Sequence, residues 1–267
     1  MGVRLHNQDF GQLNVGRVTV TDFSFPKTQS GLAFERIRAM ILDWSLQPGA
    51  TIDEKTLGAS LGMGRTPIRE ALLRLAEQGL VVFAPNKSMH VAELGLDAIR
   101  DLFEIRLHND RLASRLFLSS ATPDEKADVA GLFDAGQAHI DAGEHRALFD
   151  LDFTFHTRLV ALARNDFLKI YHDNLTGHFF RIAFLTFYGN GAPTRDDMTR
   201  LLRGHDAMVE AIRTDDVQAL DTATIEHCKS SYERVVSMLT TTRFSEISEM
   251  DVDLLGPAPD DAGEACQ

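Results

Sequence analysis

The sequence is poor in cysteine and in long apolar runs. Only two cysteines, Cys228 and Cys266, occur among its 267 residues, which argues against a framework of several disulfides. No apolar run approaches the roughly 20 residues that a helix needs to cross a bilayer, and the N-terminus lacks the basic-then-apolar pattern of a secretory signal. These absences predict a cytoplasmic protein without a membrane partner.

Positive charge is also scarce. The chain has 27 Lys and Arg residues against 39 Asp and Glu, for a net charge of -12. Residues 1–92 nevertheless carry 10 Lys and Arg against 8 Asp and Glu, and the remainder carries 17 against 31. An acidic protein can bind DNA where its positive charge is local, because affinity depends on the phosphates that it neutralises. We therefore expect a nucleic-acid surface in the N-terminal part, with the acidic remainder facing away from the duplex.

The stretch 62–81 predicts a helix with one apolar and one polar face. Four apolar residues follow the i, i+3, i+4, i+7 spacing of a single helical stripe: Ile68, Ala71, Leu72 and Leu75. Arg65, Thr66 and Arg69 lie off that stripe. Pro67 is tolerated in a first helical turn, so the helix should begin near Thr66. Helix-turn-helix proteins insert this end into the major groove, although periodicity alone also allows a plain amphipathic helix pair.

The flanking segments predict the rest of a winged helix-turn-helix. Upstream, residues 53–61 form a short capped helix in this interpretation, and Gly62 supplies the turn before the next helix. Downstream, Gly79 ends the second helix, and residues 80–84 and 89–92 should form two short strands around a turn. These strands would be the wing.

The run RTPIREAL at 65–72, followed by Leu75 and Gly79-Leu80, resembles the signature of the GntR family of bacterial transcription regulators. The resemblance implies six DNA-contacting residues: Arg65, Thr66, Arg69, Arg74, Lys87 and Ser88. Arg74 would contact a backbone phosphate, and the wing tip with Lys87 and Ser88 would enter the minor groove. Ser88 stands where many family members carry glycine.

The fold class that we predict is mainly α, with an N-terminal winged helix-turn-helix domain and a C-terminal all-α bundle of six to seven helices. Clusters of glycine, proline, asparagine and aspartate predict breaks in the helical pattern at 122–123, 142–143, 164–165, 189–193 and 214–216. The predicted organisation is a flexible N-terminal arm at 1–28, a winged helix-turn-helix DNA-binding domain at 29–93, a helical effector-binding and dimerisation domain at 94–243, and a disordered acidic tail at 244–267.

The bundle also contains a predicted metal site. Asp152 and His156 are four residues apart in a helical stretch and therefore share a face. His205 and His227 each lie 11 residues from Asp216, where a turn is expected, so an antiparallel helix pair would bring both to one level. A single histidine is more often a hydrogen-bonded core or surface residue. One aspartate and three histidines suit a divalent ion, zinc first, with nickel, manganese or iron as alternatives.

A second resemblance covers the helical part. Glu104-Ile105-Arg106, Asp152 with Phe155-His156, Ala163-Arg164-Asn165 and Gly204-His205 with His227 are similar to the FCD ligand-binding domain of the FadR branch of the GntR family. The resemblance implies that the four ligands hold an ion and that organic acids bind beside it.

The same resemblance places Arg106 in the effector cavity, where its guanidinium could pair with a carboxylate. A surface ion pair with Glu104 or Asp110 is the alternative, and Asp110 stands where the family usually has glutamate. Arg181 is a candidate second anion anchor, with a solvated position as its alternative. Seven phenylalanines at helical spacing are expected mainly in the core, with a few lining the cavity: Phe149, Phe153, Phe155, Phe179, Phe180, Phe184 and Phe187.

Together these features predict a homodimeric transcriptional regulator, a repressor by resemblance, rather than an enzyme. Its partners would be a double-stranded DNA operator and a small organic acid bound at the metal. Two alternatives stay open at this point. The first is a metal-dependent hydrolase that uses a metal-bound water, and the second is a regulator whose ion is purely structural.

Overall fold

The computed structural model describes three stretches of the chain, residues 28–84, 88–188 and 192–244. The predicted arm, apart from Thr28, lies outside the described residues. So do Lys87 and, apart from Phe244, the predicted acidic tail.

The secondary structure is mostly helical, with one small sheet. In chain order the elements are α1 (Gln29–Leu42), β1 (Thr51–Ile52), α2 (Glu54–Leu61), α3 (Arg65–Glu77), β2 (Val81–Phe83), β3 (Met89–Val91), α4 (Leu96–Ser120), α5 (Pro123–Ala130), α6 (Gly136–Ala142), α7 (His145–Leu162), α8 (Asp166–Tyr188), α9 (Arg195–Arg203), α10 (Asp206–Arg213) and α11 (Val217–Phe244).

The winged domain, residues 28–93, is built around the predicted helix pair. The Asp53 side chain caps α2 by accepting a hydrogen bond from the Thr56 amide at 2.7 Å. Gly62 then adopts a left-handed conformation with φ of 66° and turns the chain into α3. The four apolar residues of the predicted α3 stripe are all fully buried. They pack on α1, and this confirms the predicted helix and its inward face.

The wing strands are confirmed, and a third strand joins them. The sheet has the order β1-β3-β2 and is antiparallel throughout. β2 pairs with β3 through Val81 opposite Val91, and β1 pairs Thr51 with His90. We did not predict β1, because two residues are too short for an alternating pattern to be recognised.

The helical domain, residues 94–244, contains eight helical segments among its described residues, and α4 packs along α11. The predicted breaks near 122, 143, 165 and 215 are all present. The predicted break at 189–193 lies partly outside the described residues. Two further breaks, at 131–135 and at Gly204-His205, divide stretches that we treated as continuous. The apolar periodicity continues through both breaks, because Phe133 and Met208 are buried in the same core cluster.

The two domains touch through α8. Gly177 lies so close to the winged domain that an added Cβ would be 3.1 Å from Leu80 Cδ1. One residue later, His178 Nε2 donates to the Gln78 carbonyl at 3.0 Å. α8 also contacts α1. Within the described residues, no helix is both long enough and apolar enough to span a bilayer.

Candidate DNA surface and histidine cluster

The N-terminal end of α3 presents the residues predicted to contact DNA. Arg65, Thr66 and Arg69 are exposed. Gly64, at the N-cap, offers no side-chain hydrogen bond to the helix, so the first amides of α3 can face an anion. Arg69 forms a long ion pair of 3.8 Å with Glu54, and its side chain stays 68% exposed. Such a surface pair contributes little free energy and can be exchanged for a phosphate or a base.

The remaining predicted DNA contacts differ in their setting. Arg74 is half-buried, with its guanidinium carbon 4.3 Å from the centre of the Phe34 ring. Ser88, at the base of the wing tip, forms a hydrogen bond of 2.8 Å with His90 Nε2. Both side chains therefore have partners in the protein, whereas the α3 end presents its cations to solvent.

Three elements bring the predicted metal ligands together. His156 lies on α7, one turn after Asp152, while His205 stands at the N-cap of α10 and His227 lies on α11. The ligand atoms of the three imidazoles all lie within 4.8 Å of one another. We call His156, His205 and His227 the histidine cluster. Asp152 Oδ1 lies 3.0 Å from His205 Nε2 and 4.0 Å from His156 Nε2.

Backbone carbonyls orient two of the imidazoles. His205 Nδ1 donates to the Leu201 carbonyl at 3.0 Å, and His227 Nδ1 donates to the Gly204 carbonyl at 3.1 Å. Since a carbonyl can only accept, each ring in its neutral form carries its proton on Nδ1 and directs a lone pair from Nε2 into the cluster. Fixing the tautomer through the other ring nitrogen is a common feature of histidine metal ligands.

The spacing of these atoms fits a small cation. His205 Nε2 lies 3.3 Å from His156 Nε2 and 3.0 Å from the Asp152 carboxylate. Four ligands at about 2.0–2.1 Å in tetrahedral geometry would be about 3.3 Å apart. In its neutral form, with the proton on Nδ1, His205 brings a lone pair towards a carboxylate, an arrangement that a cation between them would stabilise.

In Asp152, His156 and His227, burial and neighbouring groups favour the protonation states that metal binding requires. Burial lowers the pKa of His156 and His227 well below the usual value, so both rings are neutral near pH 7. Burial alone would raise the pKa of Asp152, but the adjacent imidazole of His205, followed by those of His156 and His227, lowers it below its usual range. Neutral imidazoles and an ionised carboxylate are the forms that bind a metal.

A cavity of about 80 Å³ adjoins the cluster. Asp152, His205 and His227 line one part of it, together with Arg106. Arg106 donates from Nε to Asp110 Oδ2 at 3.1 Å, and both side chains are largely buried, at 13% and 10% exposure. Arg106 therefore has features of both alternatives. It forms the ion pair with Asp110, but it does so inside the domain, in the wall of the cavity, and not at the surface.

Arg181 is neither solvated nor beside the cluster. It is fully buried, and its Nη2 donates to the Ala92 carbonyl, at the end of the wing, at 2.5 Å. It does not line the cavities beside the histidine cluster. On α8 this residue faces the winged domain. The spacing of apolar residues does not show which face of a helix packs against another domain, so this position could not be predicted. The seven phenylalanines are mainly core residues, and Phe149 and Phe187 also line the 80 Å³ cavity.

The structure adds cavity residues that we did not predict. Arg200 on α9 and both Ser231 and Arg234 on α11 line the 80 Å³ cavity. Ser231 and Arg234 follow His227 by four and seven residues, which is the spacing of one helix face. That spacing is visible in the sequence, but it identifies a cavity wall only once His227 is known to face the cavity.

Comparison with known proteins identifies the family. Residues 30–91 match the model of bacterial regulatory proteins of the gntR family, and residues 101–230 match that of the FCD domain. An HTH-type transcriptional regulator encoded in the TAR-I ttuE-ttuC' intergenic region of Agrobacterium vitis is 36% identical over 135 residues, 49% of this chain and 78% of that protein. The chain belongs to the GntR family. It is a GntR-family transcriptional regulator with an FCD domain, as both resemblances implied.

Other relatives of this GntR-family protein agree. The Nta operon transcriptional regulator of Aminobacter aminovorans is 36% identical over 129 residues, and the match spans 48% of this chain and 60% of that relative. The structure of E. coli McbR/YncC shares the fold with a TM-score of 0.67 at 19% identity, covering 79% of this chain and 99% of the other. These domains and relatives are those of regulators and not of enzymes, which removes the hydrolase alternative.

Proposed function

We propose that this GntR-family protein is a repressor whose operator binding is controlled by a small carboxylate metabolite, bound at a metal ion in the FCD domain. The observation that carries the proposal is the convergence of the histidine cluster and Asp152 beside a cavity whose wall contains Arg106. A metal with open coordination positions and a guanidinium together provide two attachment points for one carboxylate.

The DNA half of the proposal rests on the exposed end of α3. Arg65, Thr66 and Arg69 would face the major groove, and Arg74 would reach a backbone phosphate. Ser88 would approach the minor groove with the wing tip, and Lys87 is proposed to do the same on the strength of the resemblance. Charge supports this orientation, since the N-terminal part is the one in which cations outnumber carboxylates.

The metal half rests on ligand chemistry. Three imidazoles and one carboxylate form a borderline ligand set that suits zinc, and nickel, manganese and iron accept the same donors. His156, His205, His227 and Asp152 would hold the ion. Its remaining coordination positions would be open to water or to the carboxylate of the effector.

Control of DNA binding requires a physical link between the cavity and the winged domain, and α8 supplies one. Ile182, Ala183 and Phe187 of α8 line the cavity, while Gly177 and Arg181 of the same helix contact the winged domain. A ligand that repacks one side of this helix would shift the other side, provided that it binds the two arrangements with different affinity. A homodimer would place two such winged domains on a pseudo-palindromic operator.

The DNA contact is tested by the substitution Arg69→Ala. Loss of one base-reading arginine costs about 1–3 kcal/mol, so operator affinity should fall about 10- to 100-fold in a gel-shift titration at fixed salt. Arg203→Ala, which removes an exposed arginine of α9, is the matched control. Both variants should retain the metal content of the wild type. Operator affinity equal to that of the wild type in Arg69→Ala would refute the assignment of α3 as the recognition helix.

A further inference from the structure

The cavity beside the histidine cluster has a second cationic wall. At one side lie His205, His227, Asp152 and Arg106. The lining then continues along α9 and α11 to Arg200, to its carboxylate partner Asp197, and to Arg234. The surfaces between these polar groups are apolar and include Phe103, Phe149, Ile182, Phe187 and Val235. The cavity is therefore polar at two places and apolar between them.

Arg234 is the cavity cation without a carboxylate partner. Arg106 pairs with Asp110, and Arg200 pairs with Asp197 at 3.0 Å. Arg234 instead donates to two hydroxyls of its own helix, Ser230 Oγ at 3.2 Å and Ser231 Oγ at 3.1 Å. In the part of the chain that the structure describes, no carboxylate lies within ion-pair distance of it.

The surroundings of Arg234 favour an anion. Its side chain is half-buried, and burial lowers its pKa. Asp152 acts in the opposite direction, and the nearby cations Arg200 and Arg106 lower the pKa further. A guanidinium remains charged in proteins nonetheless. An anionic group placed between these cations would relieve their repulsion and accept hydrogen bonds from Arg234.

Helix geometry limits the length of the ligand. Arg234 lies seven residues after His227, about 10 Å along the axis of α11. Side chains of a helix lean towards its N-terminus, and the bonds to Ser230 and Ser231 confirm that Arg234 points back in this direction. Its guanidinium is thus only about one turn beyond the His227 level. The cavity volume of about 80 Å³ corresponds to roughly five to eight water molecules.

We propose that the effector is a short dicarboxylate, with one carboxylate at the metal and Arg106 and the second bound by Arg234. This inference rests on the proposed function, since it assumes a carboxylate at the metal. The apolar wall would contact the carbon chain between the two acidic groups. The selectivity for a diacid over a monoacid of equal chain length would then come from Arg234.

The test compares two four-carbon acids by isothermal titration calorimetry on the zinc-loaded full-length protein. Succinate carries two carboxylates and butyrate carries one. The wild type should bind succinate at least tenfold more tightly than butyrate. Arg234→Gln should lose at least tenfold in succinate affinity with butyrate affinity unchanged, and Arg234→Lys should recover part of the loss. Arg203→Gln is the matched control and should behave as the wild type.

The outcomes separate the two proposals. Equal affinity for both acids in the wild type, or unchanged succinate affinity in Arg234→Gln, overturns the second anion site and leaves a single-carboxylate effector standing. If neither acid binds to a protein that has been shown to bind both zinc and operator DNA, the dicarboxylate inference and the carboxylate part of the proposed function both fail. Zinc content and the melting temperature of each variant identify a loss of binding that comes from misfolding.

Discussion

At the scale of single residues, Gly58 sets the geometry of the helix-turn-helix. It is buried in α2, and its carbonyl accepts a hydrogen bond from the Met63 amide at 2.8 Å. A Cβ at this position would lie 2.8 Å from the Met63 carbonyl oxygen. Because that neighbour is backbone, the turn between α2 and α3 can pass this closely only over a glycine.

Gly58→Ala should therefore destabilise the protein and weaken operator binding. The gain in helix propensity is about 1 kcal/mol, and overpacking costs about 1–3 kcal/mol, so we expect a net loss of up to about 2 kcal/mol in chemical denaturation. Gly95→Ala is the control, since a Cβ there would meet no atom within 4 Å. Unchanged stability and operator affinity in Gly58→Ala would contradict this account of the turn.

Residue chemistry was predictable where local spacing determines it. Asp152 and His156 share a face because they are four residues apart. His205 and His227 are in contact because the chain turns back between them, and the residues of that turn were recognisable in the sequence. The destination of Arg181 was not predictable. Its guanidinium lies in a junction between two domains, and sequence periodicity carries no information about how separate domains pack.

At the scale of elements, boundaries were predictable where glycine, proline or a capping residue marks them. Thr122 and Glu125 form a reciprocal capping box at the start of α5, where a break was predicted. The break at Gly204-His205 contains a single glycine, but no capping side chain accompanies it and the apolar periodicity continues on both sides. The consequence is functional, because this break places His205 at a helix N-cap, where its ring meets the other two imidazoles.

Helix α8 lines the cavity and also contacts the winged domain. Gly177→Val should force α8 away from Leu80, since even a Cβ would lie 3.1 Å from that side chain. We expect faster amide hydrogen exchange in residues 78–92 and unchanged exchange in α7. Asn174→Val, at an exposed position of the same helix, is the matched control. Unaltered protection of residues 78–92 would indicate that the domains do not depend on this contact.

At the scale of the whole molecule, the histidine cluster joins three parts of the chain. His156, His205 and His227 lie on α7, at the start of α10 and on α11. An ion bound to all three would hold these elements together in the folded state and would have no comparable site in the unfolded chain. Metal binding should therefore raise the free energy of unfolding.

Removal of metal with a chelator should lower the melting temperature, and added zinc should restore it. At a free metal concentration 100 times the dissociation constant, binding contributes about 2.7 kcal/mol, or roughly 5–10 °C for a protein of this size. His227→Ala should abolish the zinc effect, whereas His108→Ala, at an exposed position, should keep it. A chelator without effect on the wild type would contradict the site. Loss of stability with an intact effector response would favour the purely structural ion.

The whole-molecule arrangement was predictable only in outline. The two-domain order and the mainly α class followed from motifs and periodicity, and the structure confirms both. The packing of α8 against the winged domain did not follow, because the contacts between Gly177 and Leu80, and between Arg181 and Ala92, join residues about 90 to 100 positions apart. Such contacts depend on the shapes of two completed domains.

The position of His227 on α11 has a consequence for synthesis. The winged domain is complete by residue 93, whereas the third imidazole is added only at residue 227. At the usual 5–20 residues per second, a nascent chain would carry a finished DNA-binding head for on the order of ten seconds before its sensor could close. On the proposed function, a premature stop codon between these points would leave a DNA-binding domain whose operator binding no metabolite could control.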